Sequence, residues 1–174
     1  MTWPPPVHVV AAVTLVVAAA WCDLRARRLP NTLTVSGALV AFAIAGLLEG
    51  WSGLLVSLAG WAMGLVLFLP LYAVKGMGAG DVKLLAAIGP WLGPGGAVWT
   101  ALYGAIAGGF FAIVIVLARG TLAKTARNMG AMLTTWLRGG IRPVEGLTLE
   151  SSAGPKLPYA LPLAVGTLIT LWTR

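Results

Sequence analysis

Five carboxylates carry most of the chemistry that this sequence could perform: Asp23, Glu49, Asp81, Glu145 and Glu150. Cys22 is the only cysteine and His8 the only histidine. One cysteine excludes an intrachain disulfide and a cysteine zinc cluster, and one histidine argues against a histidine-based metal site or a Ser-His-Asp triad. We therefore expect a chemistry that uses carboxylates, hydroxyls, lysines or the backbone, without a metal or a cofactor.

Asp81 ends a glycine-rich stretch, Gly76-Met77-Gly78-Ala79-Gly80-Asp81-Val82-Lys83, and opens an apolar run. Gly78 and Gly80 allow positive φ angles and the close approach of another chain. The run over 82–92 is about 17 Å long as a helix, too short for a hydrocarbon core of about 30 Å. This length draws Asp81 toward the level of the lipid, where it serves as the N-cap of a short helix, as a reactive group, or as both.

Asp23 follows the first apolar run and begins a short basic loop. Pro30 disfavours helix before it, and Asn31 or Thr32 is a candidate N-cap for the next helix. Asp23 is either an interfacial acid paired with Arg25 or Arg27, or one member of a carboxylate pair. The sequence around it leaves both interpretations open.

The composition indicates a chain that is solvated by lipid. It is 59% hydrophobic and only 10% charged, with a mean hydropathy of +0.90, whereas soluble domains are about 25% charged. The apolar runs are long and continuous, which favours helices over a β-barrel. We predict an all-α integral membrane protein with about six transmembrane helices, one of them short, in a single domain over 1–174. The predicted runs cover about 3–22, 33–48, 54–74, 82–92, 97–118 and 158–172.

A long polar connection over 119–157 separates the last two runs. Apolar residues recur in it at roughly helical spacing and alternate with basic ones: Leu122, Met129, Leu133, Trp136 and Leu137, with Lys124, Arg127 and Arg138. The pattern predicts an amphipathic helix. It either lies in the membrane interface or packs on the protein.

The positive charges predict the orientation. Segments 23–32, 75–83 and 119–156 hold eleven of the twelve Lys and Arg residues, and alternating spans place these segments on one side. The positive-inside bias makes that side cytoplasmic and places both termini outside. The net charge of +7 then reflects this bias and contact with anionic lipids, not nucleic acid. Asp23 and Asp81 are expected on the same, cytoplasmic, side.

Two carboxylates at one membrane face could hydrolyse an amide. Like charges held close cannot both ionise, so the pair shares one proton. The ionised carboxylate takes a proton from water, which attacks the carbonyl, and the protonated one donates to the carbonyl oxygen. The alternative is a small transporter or channel that uses Asp23 and Asp81 as ion sites.

Three motifs resemble the type IV prepilin peptidases, a family of integral-membrane aspartyl proteases. Gly78-Ala79-Gly80-Asp81, within GMGAGDVKLLAAIGPWLG, is similar to their GxGD signature. Asp23 in DLRARRLPNTLT is similar to their other catalytic acid, which basic residues and a Pro-Asn pair follow. KLPYALP at 156–162 resembles the final-span motif. The matches occur in the family's order over nearly the whole chain.

The resemblance implies six spans in the inner (plasma) membrane and catalytic roles for Asp23 and Asp81. It implies cleavage of the short basic leader of type IV pilin-like precursors, at the cytoplasmic face and just before their hydrophobic helix. Residues expected to support the site or its substrate loop are Gly78, Gly80, Lys83, Pro30, Asn31 and Pro158.

The small size of the chain resembles the minimal peptidases of tight-adherence (Flp) pilus systems. The chain lacks the cysteine-rich zinc-binding insertion of the larger members, since Cys22 is alone. Those larger enzymes also methylate the new N-terminus, and we do not expect methyltransferase activity here.

Overall fold

A computed structural model of the protein describes residues 6–140 and 159–173. Those residues form five helices and no strand: α1 (Pro6–Ala26), α2 (Asn31–Ala73), α3 (Ala79–Ala118), α4 (Leu122–Gly139) and α5 (Ala160–Thr173). Helices α1, α2 and α3 are each long and apolar enough to cross a membrane, and α5 is apolar but shorter. The predicted all-α class is confirmed, whereas the count of six crossings stays a prediction.

Helices α2 and α3 each break at one glycine. Gly50 has φ 67° and Gly93 has φ 70°, a region that side chains other than glycine rarely occupy. Residues from both arms of α2 line one common cavity, so the chain folds back at Gly50. The second arm of α3 returns beside α5, where Gly108 lies against Tyr159. The predicted runs 33–48 and 54–74 are therefore two arms of α2, and the predicted runs 82–92 and 97–118 are two arms of α3.

The closest helix packing joins the second arm of α2 to the first arm of α3. A Cβ added at Gly60 would overlap the carbonyl of Gly89, and one at Gly64 would lie 2.6 Å from the carbonyl oxygen of Leu85. The Ser57 hydroxyl donates to the Pro90 carbonyl oxygen over 2.8 Å. The Gly60/Gly64 spacing therefore permits backbone contact, as small residues at membrane helix interfaces do.

Helix α4 is amphipathic and stands apart from the bundle. Its apolar side chains are largely exposed: Leu122, Met129, Leu133 and Leu137. Its basic residues Lys124, Arg127 and Arg138 fall on the opposite face by helical periodicity. Within the described ranges, α4 contacts only α3, which precedes it. Its apolar face is therefore not packed on the described part of the protein, and whether α4 lies in the membrane interface stays a prediction.

Candidate active site

Asp23 lies inside the last turn of α1, not in the loop where the sequence places it. The core-facing residues of α1 recur every three or four positions: Ala12, Leu15, Val16, Ala19 and Ala20. Asp23 continues this buried face and is only 8% exposed. Helix packing therefore directs the carboxylate inward.

The carboxylate of Asp23 is held by the start of α5. Its Oδ2 accepts a hydrogen bond from the backbone N–H of Ala160 over 3.1 Å. The first N–H groups of a helix have no partner within the helix, and they favour a negative charge. Arg25, one of the partners considered for Asp23, lies with its guanidinium 4.4 Å over the Trp21 ring. Asp23 therefore serves as a tertiary cap on α5.

Asp81 is the third residue of α3, and the N-cap is Gly78. The prediction that Asp81 is the N-cap is wrong. The Asp81 N–H donates to the Gly78 carbonyl oxygen over 3.2 Å, and the backbone N–H of Gly78 hydrogen-bonds the Asp81 carboxylate. In a capping box, the side chain of the third helical residue accepts the backbone N–H of the N-cap residue, and the bond from Gly78 to Asp81 is this interaction. Gly78 has φ −77° and Gly80 lies in the helix without a positive φ, so the positive φ angles expected at these glycines are not found. A Cβ at position 78 would lie 3.2 Å from Asp81 Oδ2, so the glycine instead leaves space for the carboxylate.

The side chain of Asp81 shares a face with the core of α3. Leu84, Leu85 and Ile88, three, four and seven residues further on, are fully buried, and such spacings lie on one helix face. Lys83 lies on a different face, and its Nζ donates to Oδ1 of Asn31 over 3.0 Å. Lys83 therefore ties α3 to the start of α2.

The two acids converge at the residues that open α5. The charge of Asp23 acts on Asp81, so the carboxylates lie within electrostatic reach of each other. Burial, and then the negative charge of Asp81, raise the pKa of the Tyr159 phenol. Tyr159 is thus near Asp81, while the next residue, Ala160, binds Asp23. A carboxylate pair in this setting could share a proton and activate water.

The other predicted supporting residues gather at the same end of the bundle. Pro30 is the N-cap of α2, so the prediction that Asn31 or Thr32 caps this helix is wrong. The Pro30 carbonyl oxygen accepts the N–H of Leu33 over 3.1 Å. A Cβ at Gly80 would lie 3.4 Å from Leu29 of the α1–α2 connection. Together with Gly78, Asn31 and Lys83, these residues surround the starts of α2 and α3. Pro158 lies outside the described residues.

A cavity of about 620 Å³ lies between the two arms of α2 and the first arm of α3. Its α3 lining includes Ala79, Val82, Lys83 and Ala86, which share one face by their spacing. Asp81 lies on the opposite face. The cavity is therefore separate from the two acids. In the described ranges, no three His, Cys, Asp or Glu side chains are grouped to hold a metal ion.

Sequence reasoning missed Tyr159 and Ala160 as members of the site. It chose Pro158 from the KLPYALP motif, although the structure places the next two residues against the acids. Ala160 acts through its backbone N–H, and no side-chain pattern reveals such a role. The available signal for Tyr159 was a single phenol at the start of the last predicted apolar run, 158–172.

Comparison with models of protein families gives one match that decides the classification. Residues 10–113 match the model of the type IV leader peptidase family. The chain belongs to the type IV leader peptidase family. The match includes Asp23 and Asp81 and ends before α4 and α5. Comparisons with curated proteins and with solved structures give no significant match.

Family membership, together with the apolar helices, makes this leader peptidase a membrane protein. It also implies a peptidase whose substrate is a pilin-like precursor. The predicted resemblance to prepilin peptidases is thereby confirmed at the level of the family.

Proposed function

We propose that this leader peptidase is an aspartic endopeptidase of the GxGD type, in which Asp23 and Asp81 activate water. It removes the basic leader of type IV pilin-like precursors just before their hydrophobic helix. The observation that carries the proposal is the convergence of the two acids at the start of α5, each held by a backbone N–H at a helix start. Two carboxylates from distant parts of the sequence gain no stability from this proximity, since like charges repel.

The reaction needs one proton on the carboxylate pair. The ionised member takes a proton from water as the water oxygen bonds to the scissile carbonyl carbon, and the protonated member gives its proton to the carbonyl oxygen. The C–N bond of the tetrahedral intermediate then breaks. The leaving nitrogen takes a proton from the first carboxylate, and a hydroxyl of the intermediate returns one to the second. One water is consumed, and the pair ends with one proton.

The proposed orientation in the membrane rests on the positive charges at the end of the bundle where the two acids lie. Asp23 and Asp81 lie with the basic segments 23–32 and 75–83, so the positive-inside bias supports a cytoplasmic site in the inner membrane with both termini outside. We assign six crossings to α1, the two arms of α2, the two arms of α3, and α5. The first arm of α3 and helix α5 are each about 21 Å long at 1.5 Å per residue. These short segments draw the site toward the lipid.

Anionic lipid is the proposed partner of α4. The helix carries Lys124, Arg127 and Arg138 and no acidic residue, and its apolar face is exposed. A helix of this kind lies along the bilayer surface, and anionic headgroups attract its basic face.

The test is processing of a pilin-like precursor by the full chain in liposomes. Asp23→Asn and Asp81→Asn keep the side-chain size but remove the acid, and each should lower the rate at least about 10²–10⁴-fold, the contribution of a positioned acid or base. Glu49→Gln is the matched control, because Glu49 lies near His8, with Oε1 3.6 Å from Nε2, and not among the residues at the start of α5. It should cleave like the wild type. Cleavage by either Asn variant at the wild-type rate would show that the two-aspartate mechanism is wrong.

A further inference from the structure

Among the described residues, Tyr159 is a polar side chain near the acids, since the charge of Asp81 acts on its phenol. Its ring packs edge-on against Phe68 of α2, with centroids 6.1 Å apart and planes at 73°. On another side it meets the second arm of α3 at Gly108, where an added Cβ would lie 3.0 Å from Cε2 and 3.3 Å from the phenol oxygen. Contacts from two helices therefore fix the ring, and Gly108 provides the space for it.

The backbone fixes Tyr159 further. The next residue donates its N–H to Asp23, so the start of α5 cannot move without moving an acid of the pair. Asp81 lies close enough for its charge to act on the phenol. Tyr159 is half-buried, not enclosed. The fixed phenol has access from outside, directly precedes the residue that binds Asp23 and lies within electrostatic reach of Asp81, so it can meet a substrate carbonyl held at the two acids.

The phenol has the protonation state that a hydrogen-bond donor needs. Burial and the charge of Asp81 raise its pKa above the ordinary value. It therefore stays neutral across the pH range in which carboxylate pairs work and keeps its O–H hydrogen. A neutral donor aimed at an oxygen that becomes negative stabilises the transition state without a change in its own charge.

We propose that Tyr159 is a catalytic residue of this leader peptidase, and that its hydroxyl donates a hydrogen bond to the scissile carbonyl oxygen as negative charge develops there. This role rests on the proposed two-aspartate function and adds a third group to it. Tyr159 transfers no proton. It supports the acid of the pair, which supplies the proton to the same oxygen.

The first test is Tyr159→Phe, which removes the hydroxyl but keeps the ring on Phe68 and Gly108. We expect kcat to fall about 10²-fold, the usual cost of one oxyanion donor, with KM and thermal stability unchanged. The two limbs of the pH–rate profile should stay in place, because the phenol does not titrate in that range. Unchanged kcat, or limbs that move, would overturn the proposal, since moving limbs would mean that Tyr159 acts only through the acids.

The second test moves the ring and leaves the hydroxyl present. Gly108→Ala adds a methyl 3.0 Å from the ring, whereas a Cβ at Gly109 on the same helix has nothing within 4 Å. Because displacement by a fraction of an ångström disturbs alignment, Gly108→Ala should lower kcat about three- to tenfold and Gly109→Ala should leave it unchanged. Equal activity of the two variants would count against the assigned position of the hydroxyl.

The two proposals fail in different ways. If the wild type cleaves, the Asn variants do not and Tyr159→Phe equals the wild type, the role of Tyr159 is wrong and the function stands. If the wild type does not cleave a pilin-like precursor, both fall together.

Discussion

At the scale of single residues, each acid is hydrogen-bonded by a backbone N–H group within the described part of the chain. Asp23 accepts the N–H of Ala160, and Asp81 is hydrogen-bonded by that of Gly78. Backbone donors at helix starts hold a carboxylate in one orientation and introduce no group that competes for its proton. The acids are therefore fixed without losing their capacity for proton transfer.

The proposed sharing of one proton by Asp23 and Asp81 predicts a bell-shaped dependence of kcat/KM on pH. A second proton on the Asp23–Asp81 pair removes the base on the acid side, and loss of the last proton removes the acid on the alkaline side. Rates measured with a precursor in liposomes over a broad pH range should show both limbs, with circular dichroism confirming the fold at each pH. A profile with one limb only would mean that a single titrating group suffices.

The hydrogen bond between Lys83 and Asn31 is predicted to be structural. Both residues are exposed, and their bond of 3.0 Å joins α3 to α2 on a face away from Asp81. Lys83→Met and Asn31→Ala should each lower activity less than about tenfold, because such a bond contributes about 1 kcal/mol.

The double variant of Lys83 and Asn31 provides the control. Its activity should be no lower than that of the less active single variant, since either change breaks the same bond. A loss for Lys83→Met as large as for Asp81→Asn would instead make Lys83 part of the chemistry.

At the scale of helices, the sequence predicted more of the fold than of the site. Runs of apolar residues and glycine-rich breaks located the segments, because membrane spans need long apolar stretches. The extension of α1 through Asp23 was missed, since Arg25 and Arg27 resembled a loop although they lie at the end of a helix and just after it. The contact of Asp23 with Ala160 joins residues 137 positions apart, and local patterns do not contain such pairings.

Close helix contact predicts opposite effects for two glycines of α2. A Cβ at Gly60 would overlap the Gly89 backbone, whereas one at Gly46 has nothing within 4 Å. Gly60→Ala should lower the melting temperature in detergent and reduce activity, because the backbone of α3 cannot yield as a side chain would.

Gly46→Ala is the matched control for that variant. It should be neutral or stabilise by about 0.4–1 kcal/mol, because alanine restricts the unfolded chain. If Gly60→Ala and Gly46→Ala have the same melting temperature, α2 and α3 do not make backbone contact at Gly60.

At the scale of the whole molecule, the reactive end and the basic surface coincide. Asp23 and Asp81 lie with the basic segments that precede α2 and α3, and α4 begins where α3 ends. In the proposed function the leader of the precursor is basic too, so a surface of this charge would repel it. Anionic lipid around α4 offsets the repulsion if the helix lies on the bilayer, which makes the depth of α4 the decisive property.

Spin labels can measure that depth on opposite faces of α4. In a Cys22→Ser background, Met129→Cys places a label on the apolar face and Arg127→Cys places one on the basic face. In liposomes with anionic lipid, the label at 129 should relax faster in the presence of oxygen, which concentrates in the bilayer. The label at 127 should relax faster in the presence of a water-soluble nickel reagent. The difference should shrink in purely zwitterionic bilayers, because the electrostatic part of the attraction is lost. Equal accessibility of both labels to the nickel reagent would place α4 in water. Another source of negative charge would then have to offset the repulsion of the leader.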